Sequence, residues 1–136
     1  MSLDEALELL AASPCPIVVV VGDRSRTWYA DHYAVGEVLA CIAATRPDAV
    51  VRHAGKLPFD DVVEHAAEVM GLAQELWGPE DRTSRLEPYE RNTAMLDGAA
   101  LLVAFPVEDR DPETADPMVI AVAEELGVPR LDVRRT

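Results

Sequence analysis

The sequence has almost no lysine, few cysteines and no long apolar run. Of its 12 basic residues, only Lys56 is a lysine. Its two cysteines, Cys15 and Cys41, form no CxxC pair and have no histidine at metal-ligand spacing, which predicts reduced thiols in a cytoplasmic protein. No apolar run exceeds seven residues, which is far too short to cross a bilayer. Acidic residues among the first ten positions argue against a signal peptide.

The chain also lacks the positive charge that favours binding to nucleic acids and membrane surfaces. Its 136 residues carry a formal net charge of −13. Such a protein would on average repel the phosphate groups of DNA, RNA or anionic lipids. We therefore expect neither nucleic acid nor a membrane among its partners. A hydrophobic fraction of 49% is ample for a packed core, so one domain spanning residues 1–136 is predicted.

The strongest structural signal is the run Ile17-Val18-Val19-Val20-Val21-Gly22. Because this strand is apolar at every position before the glycine, helices must cover both of its faces, as in the centre of a parallel sheet. Further strands are predicted at residues 49–51, 72–77, 99–105 and 131–133, with helical patterns before and between them. This alternation predicts a Rossmann-like α/β fold, a three-layer α/β/α sandwich with a mainly parallel sheet of about five strands.

Capping residues mark the predicted helix ends. Asp60 is predicted to cap one helix, and Asp116 is predicted to cap another, with Pro117 at its first position. Glycines that follow the helical patterns are expected to end the helices, and two of these are Gly71 and Gly127.

The fold places any small-molecule site outside the carboxyl ends of the strands, where the strand order reverses. The two most apolar strands, 17–21 and 99–105, are predicted to flank that point. Four segments can reach it: Gly22-Asp23-Arg24, residues 53–56, residues 90–92, and Phe105-Pro106 with the residues that follow.

These segments resemble the motifs of a known family. The chain is similar, over roughly residues 17–133, to the YspA-like branch of the SLOG superfamily, which is related to Smf/DprA proteins and to the LOG ("lysine decarboxylase-like") nucleotide-processing enzymes. The helix within residues 1–13 lies outside the match. The resemblance implies a nucleotide-derived ligand and a homodimer. The matching segments are Gly22-Asp23-Arg24, His53-Ala54-Gly55-Lys56-Leu57-Pro58-Phe59-Asp60, Pro88-Tyr89-Glu90-Arg91-Asn92-Thr93-Ala94-Met95 and Phe105-Pro106-Val107.

Two loops depart from the family pattern. Ala54 stands where the family has a glycine, and Val107-Glu108 replaces a pair of glycines. Glycines at these positions would let backbone amides approach a phosphate closely. Glu108, Asp109 and Asp111 instead place carboxylates where an anion would bind. Inherited enzymatic activity therefore does not follow from the resemblance.

Arg91 is the candidate site residue with the clearest physical argument. A cation at a helix N-terminus lies at the positive end of the helix dipole, so an anionic partner is expected, either a ligand or a carboxylate such as Asp23. Asn92 is expected to orient a ligand or to cap its own helix. The candidate ligand-binding residues are Gly22, Asp23, Arg24, Trp28, His53, Gly55, Lys56, Arg91, Asn92, Pro106 and Thr114.

Several of these candidates also have a structural interpretation. Arg24 could pair with a surface carboxylate, and His53, directly after a buried strand, could be a hydrogen-bonded core residue. Trp28 could stack on a base or pack over the sheet edge. Asp23 and the acidic residues 108–111 could bind Mg²⁺, but a charge run is more often a solvated loop. No metal and no cofactor is therefore assigned to the site.

Three functional hypotheses stand at this point. The leading one is a module that binds a nucleotide-derived or similar small ligand. The second is a LOG-like hydrolase that cleaves an N-glycosidic bond. Against it stand the lost glycines and the absent LOG glutamate, because Glu113 precedes Thr114 and does not follow it. The third is a non-catalytic scaffold or interaction protein with a decayed pocket.

Overall fold

The computed structural model describes residues 1–54, 58–77, 88–106 and 116–134. Helices and strands alternate along these residues, as the sequence predicts. No helix among them is long and apolar enough to span a membrane. The elements are α1 (Leu3–Ala12), β1 (Ile17–Gly22), α2 (Tyr29–Thr45), β2 (Val50–His53), α3 (Pro58–Met70), β3 (Ala73–Leu76), α4 (Pro88–Leu96), β4 (Leu101–Phe105), α5 (Pro117–Leu126) and β5 (Arg130–Asp132).

The strands form one parallel sheet in the order β3-β2-β1-β4-β5. The first strand is therefore central, with Val18 opposite Val51 of β2 and Leu101 of β4. The predicted Rossmann-like α/β fold and the central position of β1 are confirmed. Because the strand order reverses between β1 and β4, a crevice is expected at the carboxyl ends of these two strands.

The core has two halves, one on each face of the sheet. Val18 and Val20 pack with α1, α2 and α3, whereas Val19 and Val21 pack with α4 and α5. Successive side chains of a strand point to opposite faces, so one unbroken apolar run supplies both halves. Each valine side chain buried in this way contributes about 1.5–3 kcal/mol to folding.

Helix boundaries follow the predicted caps with one exception. Asp116 Oδ1 accepts a hydrogen bond from the backbone amide of Val119 at 3.2 Å, so Asp116 caps α5 as predicted. Gly127 follows that helix with a φ of 72°, a backbone conformation that favours glycine. The prediction that Asp60 is an N-cap is wrong, because α3 already begins at Pro58 and Asp60 lies buried in its first turn.

The end of β1 packs against the first turn of α3. A Cβ atom added to Gly22 would lie 2.5 Å from Cε2 of Phe59, well inside van der Waals contact. Phe59 also packs against Phe105 at the end of β4, with the ring centroids 5.3 Å apart. Gly22 is therefore needed to admit the Phe59 ring, a role that involves no ligand.

A buried ion pair fixes the loop that follows β1. Arg26 and Asp31 are both 0% exposed, and Arg26 Nε donates to Asp31 Oδ1 at 2.6 Å. The second carboxylate oxygen of Asp31 accepts a hydrogen bond from the backbone amide of Trp28 at 3.0 Å. The loop is thereby attached to the first turn of α2.

The same guanidinium reaches the ends of two other strands. Arg26 Nη1 donates to the carbonyl oxygen of Pro106, after β4, at 2.6 Å and to that of Val133, after β5, at 2.9 Å. Its Cζ atom lies 5.5 Å from the centroid of the Phe105 ring, a distance at which a cation and an aromatic face attract each other. One arginine therefore holds the chain after β1, β4 and β5 together.

We expect Asp31→Asn to lower the free energy of unfolding by about 3–5 kcal/mol, because the amide keeps the shape but leaves the Arg26 charge buried without a counter-ion. Urea denaturation measures this change. Asp48→Asn is the matched control, since the Asp48 carboxylate pairs with Arg46 at 3.0 Å but is 63% exposed. For this exposed pair we expect a loss of about 1 kcal/mol or less. Equal losses in the two variants would contradict the role assigned to Arg26.

Candidate functional site

A crevice lies at the carboxyl ends of β1 and β2, between the N-terminal parts of α3 and α5 and the middle and C-terminal half of α4. It is located beside the point where the strand order reverses. The space open to the centre of a water molecule is about 20 Å³, which is enough for about one water molecule. Within the described part of the chain, the crevice is lined by Val21, Gly22, Ala54, Asp60, Arg91, Asn92, Met95, Asp116 and Val119.

Helix α4 brings two of the predicted residues, Arg91 and Asn92, to this crevice. Met95, which is 2% exposed, anchors the helix in the half of the core shared with α5. The C-terminal end of α4 is held from β2, where Arg52 Nη1 donates to the carbonyl oxygens of Met95 at 3.0 Å and Asp97 at 3.1 Å. A cation is favourable at a helix C-terminus. The helix is thus fixed at both the core and its last turn.

Asn92 is a buried polar residue without a protein partner. It is 2% exposed, and its side-chain amide forms no hydrogen bond with any residue that the structure describes. It lies inside α4, which begins at Pro88, and so does not cap that helix. Neither amide atom is among the fully buried side-chain atoms that lack a partner, so the amide reaches the water-accessible space of the crevice, where an unmade hydrogen bond costs less than the penalty of about 1–3 kcal/mol for a sealed polar group. A ligand or an ordered water in the crevice would satisfy the amide.

Arg91 is half-buried and forms no ion pair with a carboxylate in the described ranges. Asp23, the carboxylate that the sequence offered as its partner, is engaged elsewhere. Asp23 Oδ1 accepts hydrogen bonds from the backbone amide of Ser25 at 2.9 Å and from its hydroxyl at 2.6 Å. Of the two expected partners for Arg91, the structure therefore does not supply Asp23.

Two carboxylates share the crevice with Arg91. Asp60, in the first turn of α3, is 4% exposed, and Asp116 is the half-buried cap of α5. The Asp116 carboxylate disfavours a phosphate at the centre of the crevice, whereas Asp60 already interacts with another residue of the chain. The Asp116 carboxylate suits groups that donate hydrogen bonds, such as hydroxyl and amino groups.

A hydrogen bond also joins the two helices that flank the crevice. The Tyr89 hydroxyl of α4 donates to Glu125 Oε2 of α5 at 2.8 Å. This hydrogen bond to a carboxylate raises the pKa of Tyr89 above its ordinary value. The contact links α4 and α5 on the protein surface.

Besides Asp23, four of the sequence candidates lie away from the crevice. Arg24 is exposed, and Trp28, directly before α2, is 66% exposed. His53 is fully buried, with its Nε2 atom 2.9 Å from Gln74 Oε1. Pro106 contributes its carbonyl oxygen to Arg26. None of these four belongs to the described lining.

Other sequence candidates lie outside the described residues. These are Gly55, Lys56 and Thr114, together with the acidic residues 108–111 that were considered as Mg²⁺ ligands with Asp23. Among the residues that are described, no group of three or more His, Cys, Asp or Glu side chains could hold a metal ion.

Sequence reasoning overlooked the carboxylates of the crevice. Asp60 and Asp116 were recognised only as helix-capping residues, although helix N-termini in a parallel α/β sheet face the carboxyl ends of the strands. That rule could have placed both at the site. No local sequence pattern indicated that Arg26 would be buried and would bind the ends of β4 and β5. Its partners Pro106 and Val133 are 80 and 107 residues away along the chain.

Comparisons with family models, with curated proteins and with solved structures found no match to this chain. The resemblance to the SLOG superfamily therefore stays a prediction from the sequence. The crevice and its lining are observations of the structure and do not depend on it.

We expect Asn92→Leu to leave the free energy of unfolding unchanged or to raise it by up to about 2 kcal/mol, because leucine has a similar size and no amide to satisfy. Gln74→Met is the matched control. Its amide is satisfied by His53 and by the carbonyl oxygen of Glu64, to which Nε2 donates at 3.3 Å, so a loss of about 1–3 kcal/mol is expected. Urea denaturation of both variants gives the comparison. Equal destabilisation would show that Asn92 is satisfied in the unliganded protein.

Proposed function

We propose that this chain is a binding module for a small polar molecule that combines hydroxyl or amino groups with an anionic group, as nucleotides do. The observation that supports it best is the side chain of Asn92, which is almost fully buried, lines the crevice beside Arg91 and has no partner among the described residues. A bound ligand would supply the hydrogen bonds that the protein leaves unmade.

The charges in the crevice assign a place to each part of such a ligand. Arg91 is the cation of the described lining, and it would bind the anionic group through charge-assisted hydrogen bonds. Asp116 would accept hydrogen bonds from hydroxyl or amino groups through its second carboxylate oxygen and would repel a phosphate, whereas Asp60 already interacts with another residue of the chain. Asn92 can both donate and accept. The anionic group is therefore expected at the half-buried Arg91, with the neutral polar group deeper in the crevice.

The size of the crevice limits which part of the ligand enters it. A space of about 20 Å³ admits one hydroxyl or amino group, but it does not admit a sugar or a base. Most of a nucleotide would therefore lie outside the described lining and bury little surface there. We expect modest affinity on this ground.

Two further points favour a nucleotide-derived ligand over other polar molecules. The strand order reverses beside the crevice, which is the position where doubly wound sheets bind nucleotides. The resemblance of residues 17–133 to the SLOG superfamily implies the same class of ligand. The family has glycines at position 54 and at positions 107–108, and this chain has Ala54 and Val107-Glu108 there. Their absence agrees with binding without turnover.

A hydrolase is the second candidate, because the crevice contains two carboxylates, Asp60 and Asp116. In cleavage of an N-glycosidic bond, one carboxylate would take a proton from the attacking water while the bond from the sugar carbon to the base nitrogen breaks, and the base would leave with a proton. Chromatography after incubation with AMP would then show free adenine and ribose phosphate. Asp60→Asn or Asp116→Asn should abolish this release. AMP that stays intact would exclude its hydrolysis and favour the binding module.

The binding module is tested by screening AMP, ADP-ribose, NAD and cyclic nucleotides for an increase in melting temperature, followed by calorimetric titration of each stabilising ligand. We expect Arg91→Ala to raise the Kd of such a ligand about 10- to 150-fold, since a charge-assisted hydrogen bond contributes about 1.5–3 kcal/mol. The melting temperature of the unliganded protein should barely change, because Arg91 has no ion pair with a described carboxylate.

Arg24→Ala is the matched control for this experiment. Arg24 is an exposed arginine that follows the same strand as the crevice residue Gly22 but is not part of the lining. We expect the Kd of the Arg24→Ala variant for the same ligand to stay within about twofold of the wild-type value. An effect at Arg24 with none at Arg91 would move the anionic group to the loop after β1 and contradict the proposed site. If none of the nucleotides stabilises the protein, the scaffold hypothesis is favoured.

A further inference from the structure

The carboxylate of Asp116 has one oxygen that helix capping does not use. Asp116 is half-buried and lines the crevice at the start of α5. Its Oδ1 atom accepts the hydrogen bond from the backbone amide of Val119. Its second oxygen, Oδ2, has no hydrogen-bond or ion-pair partner among the described residues. One oxygen of a negatively charged group is therefore left for a ligand.

The same crevice contains a second polar group without a described partner. Asn92 is 2% exposed, and its side-chain amide forms no hydrogen bond with a residue that the structure describes. Its amide oxygen accepts hydrogen bonds and its amide nitrogen donates them. Because Asn92 and Asp116 both line a space of about 20 Å³, one small polar group that enters this space can bind both side chains.

A hydroxyl group and a protonated amine can each satisfy these two side chains. A hydroxyl group would donate to Asp116 and accept from the amide nitrogen of Asn92. A protonated primary amine has three donors, and it would donate to the carboxylate and to the amide oxygen. The number of hydrogen bonds therefore does not distinguish the two groups, and their charge decides between them.

Charge balance in the crevice favours the protonated amine. Arg91 is the cation of the described lining, and in the proposed site it binds the anionic group of the ligand. Asp116 is then left without a counter-ion in that lining, and Asp60, which already interacts with another residue, adds a second carboxylate. A neutral group would leave the charge of Asp116 uncompensated, whereas an ammonium group would compensate it.

The apolar walls of the crevice strengthen such an ion pair. Val21, Met95 and Val119 line the crevice and are 6%, 2% and 2% exposed. Apolar surroundings screen two opposite charges less than water does. Because Arg91 and Asp116 are half-buried, the crevice is not sealed from water. An ammonium group would keep part of its hydration and avoid the full desolvation cost of a buried ion pair.

We propose that the crevice prefers a zwitterionic ligand, with a protonated primary amine between Asp116 and Asn92 and an anionic group at Arg91. Amino acids and phosphate esters of amino alcohols belong to this class. A nucleotide can present a neutral hydroxyl or amino group to the same space, but that group brings no charge to Asp116 and binds more weakly. The inference rests on the proposed binding site and adds the charge of the group that enters the crevice.

Calorimetric titration at neutral pH with aminopropyl phosphate and hydroxypropyl phosphate tests this preference, because the two probes differ only in the amine. The wild-type protein should bind the amine about 10-fold more tightly, since a hydrogen bond to a charged group is stronger than one to a neutral group. Equal Kd values for the two probes, or no binding of either probe at millimolar concentration, would overturn the proposal.

Asp116→Asn removes the charge on which the preference depends. The Kd values of the two probes should then agree within about twofold. The melting temperature should stay close to that of the wild type, because asparagine is as good an N-cap as aspartate. A 10-fold preference that persists in a folded Asp116→Asn variant would place the amine elsewhere and would also overturn the proposal.

Two controls separate this site from a general attraction of cations to a chain with a net charge of −13. Glu90→Gln removes an exposed carboxylate on α4 that is not part of the described lining, and it should keep the 10-fold preference. A trimethylammonium analogue of the amine probe has the same charge, but it has no N–H donor and is too large for the space. It should bind no better than hydroxypropyl phosphate. A lost preference in Glu90→Gln, or binding of the analogue as tight as that of the amine, would contradict the proposal.

The failure of this inference and the failure of the proposed function give different results. If AMP binds through Arg91 but the amine probe shows no preference, the binding module stands and the ammonium preference is wrong. If neither AMP nor either phosphate probe binds, both proposals are wrong. Binding of the amine probe without binding of AMP supports the zwitterionic ligand and excludes this nucleotide.

Discussion

The buried ion pair between Arg26 and Asp31 is the interaction on which the carboxyl edge of the sheet depends. A charge removed from water is tolerated only with a counter-ion and further hydrogen bonds. Arg26 obtains them from Asp31 in the first turn of α2, from Pro106 after β4 and from Val133 after β5. The Nε and Nη1 groups of one guanidinium therefore fix three segments relative to one another, whereas Nη2 is buried without a hydrogen-bond partner in the described residues. The crevice opens at the edge that these segments form.

Two other polar side chains near this edge, the half-buried Gln74 and the buried Asn92, show how stability and function are separated. The amide of Gln74 is satisfied by His53 and by a backbone carbonyl oxygen, as a structural group should be. Asn92 is 2% exposed, and its amide, which has no partner in the described residues, opens to the crevice and is not sealed in the core. Sites that bind ligands often keep such unsatisfied groups at the expense of stability. This contrast is the physical basis for placing the ligand at α4.

Local sequence signals were sufficient for the fold and for part of the site. The apolar run 17–22 could only be a strand covered on both faces, and Asp116 before a proline could be recognised as a helix cap. Long-range contacts could not be predicted in this way. The nearest-neighbour pattern does not distinguish Arg24 from Arg26, yet the first is exposed and the second binds Pro106, 80 residues away along the chain. The missing partner of Asn92 likewise depends on tertiary packing that no spacing rule contains.

The central claim is that the crevice between α4 and α5 receives the polar group of a small nucleotide-like ligand. Amide NMR signals recorded during a titration with AMP test it most directly. We expect the largest shifts at the backbone amides of Gly22 and Ala54 and at the side-chain amide of Asn92, which all belong to the crevice lining. Shifts confined to the loop at Arg24 or to the exposed residues Tyr29 and Tyr33 of α2, or no shift at high AMP concentration, would contradict it.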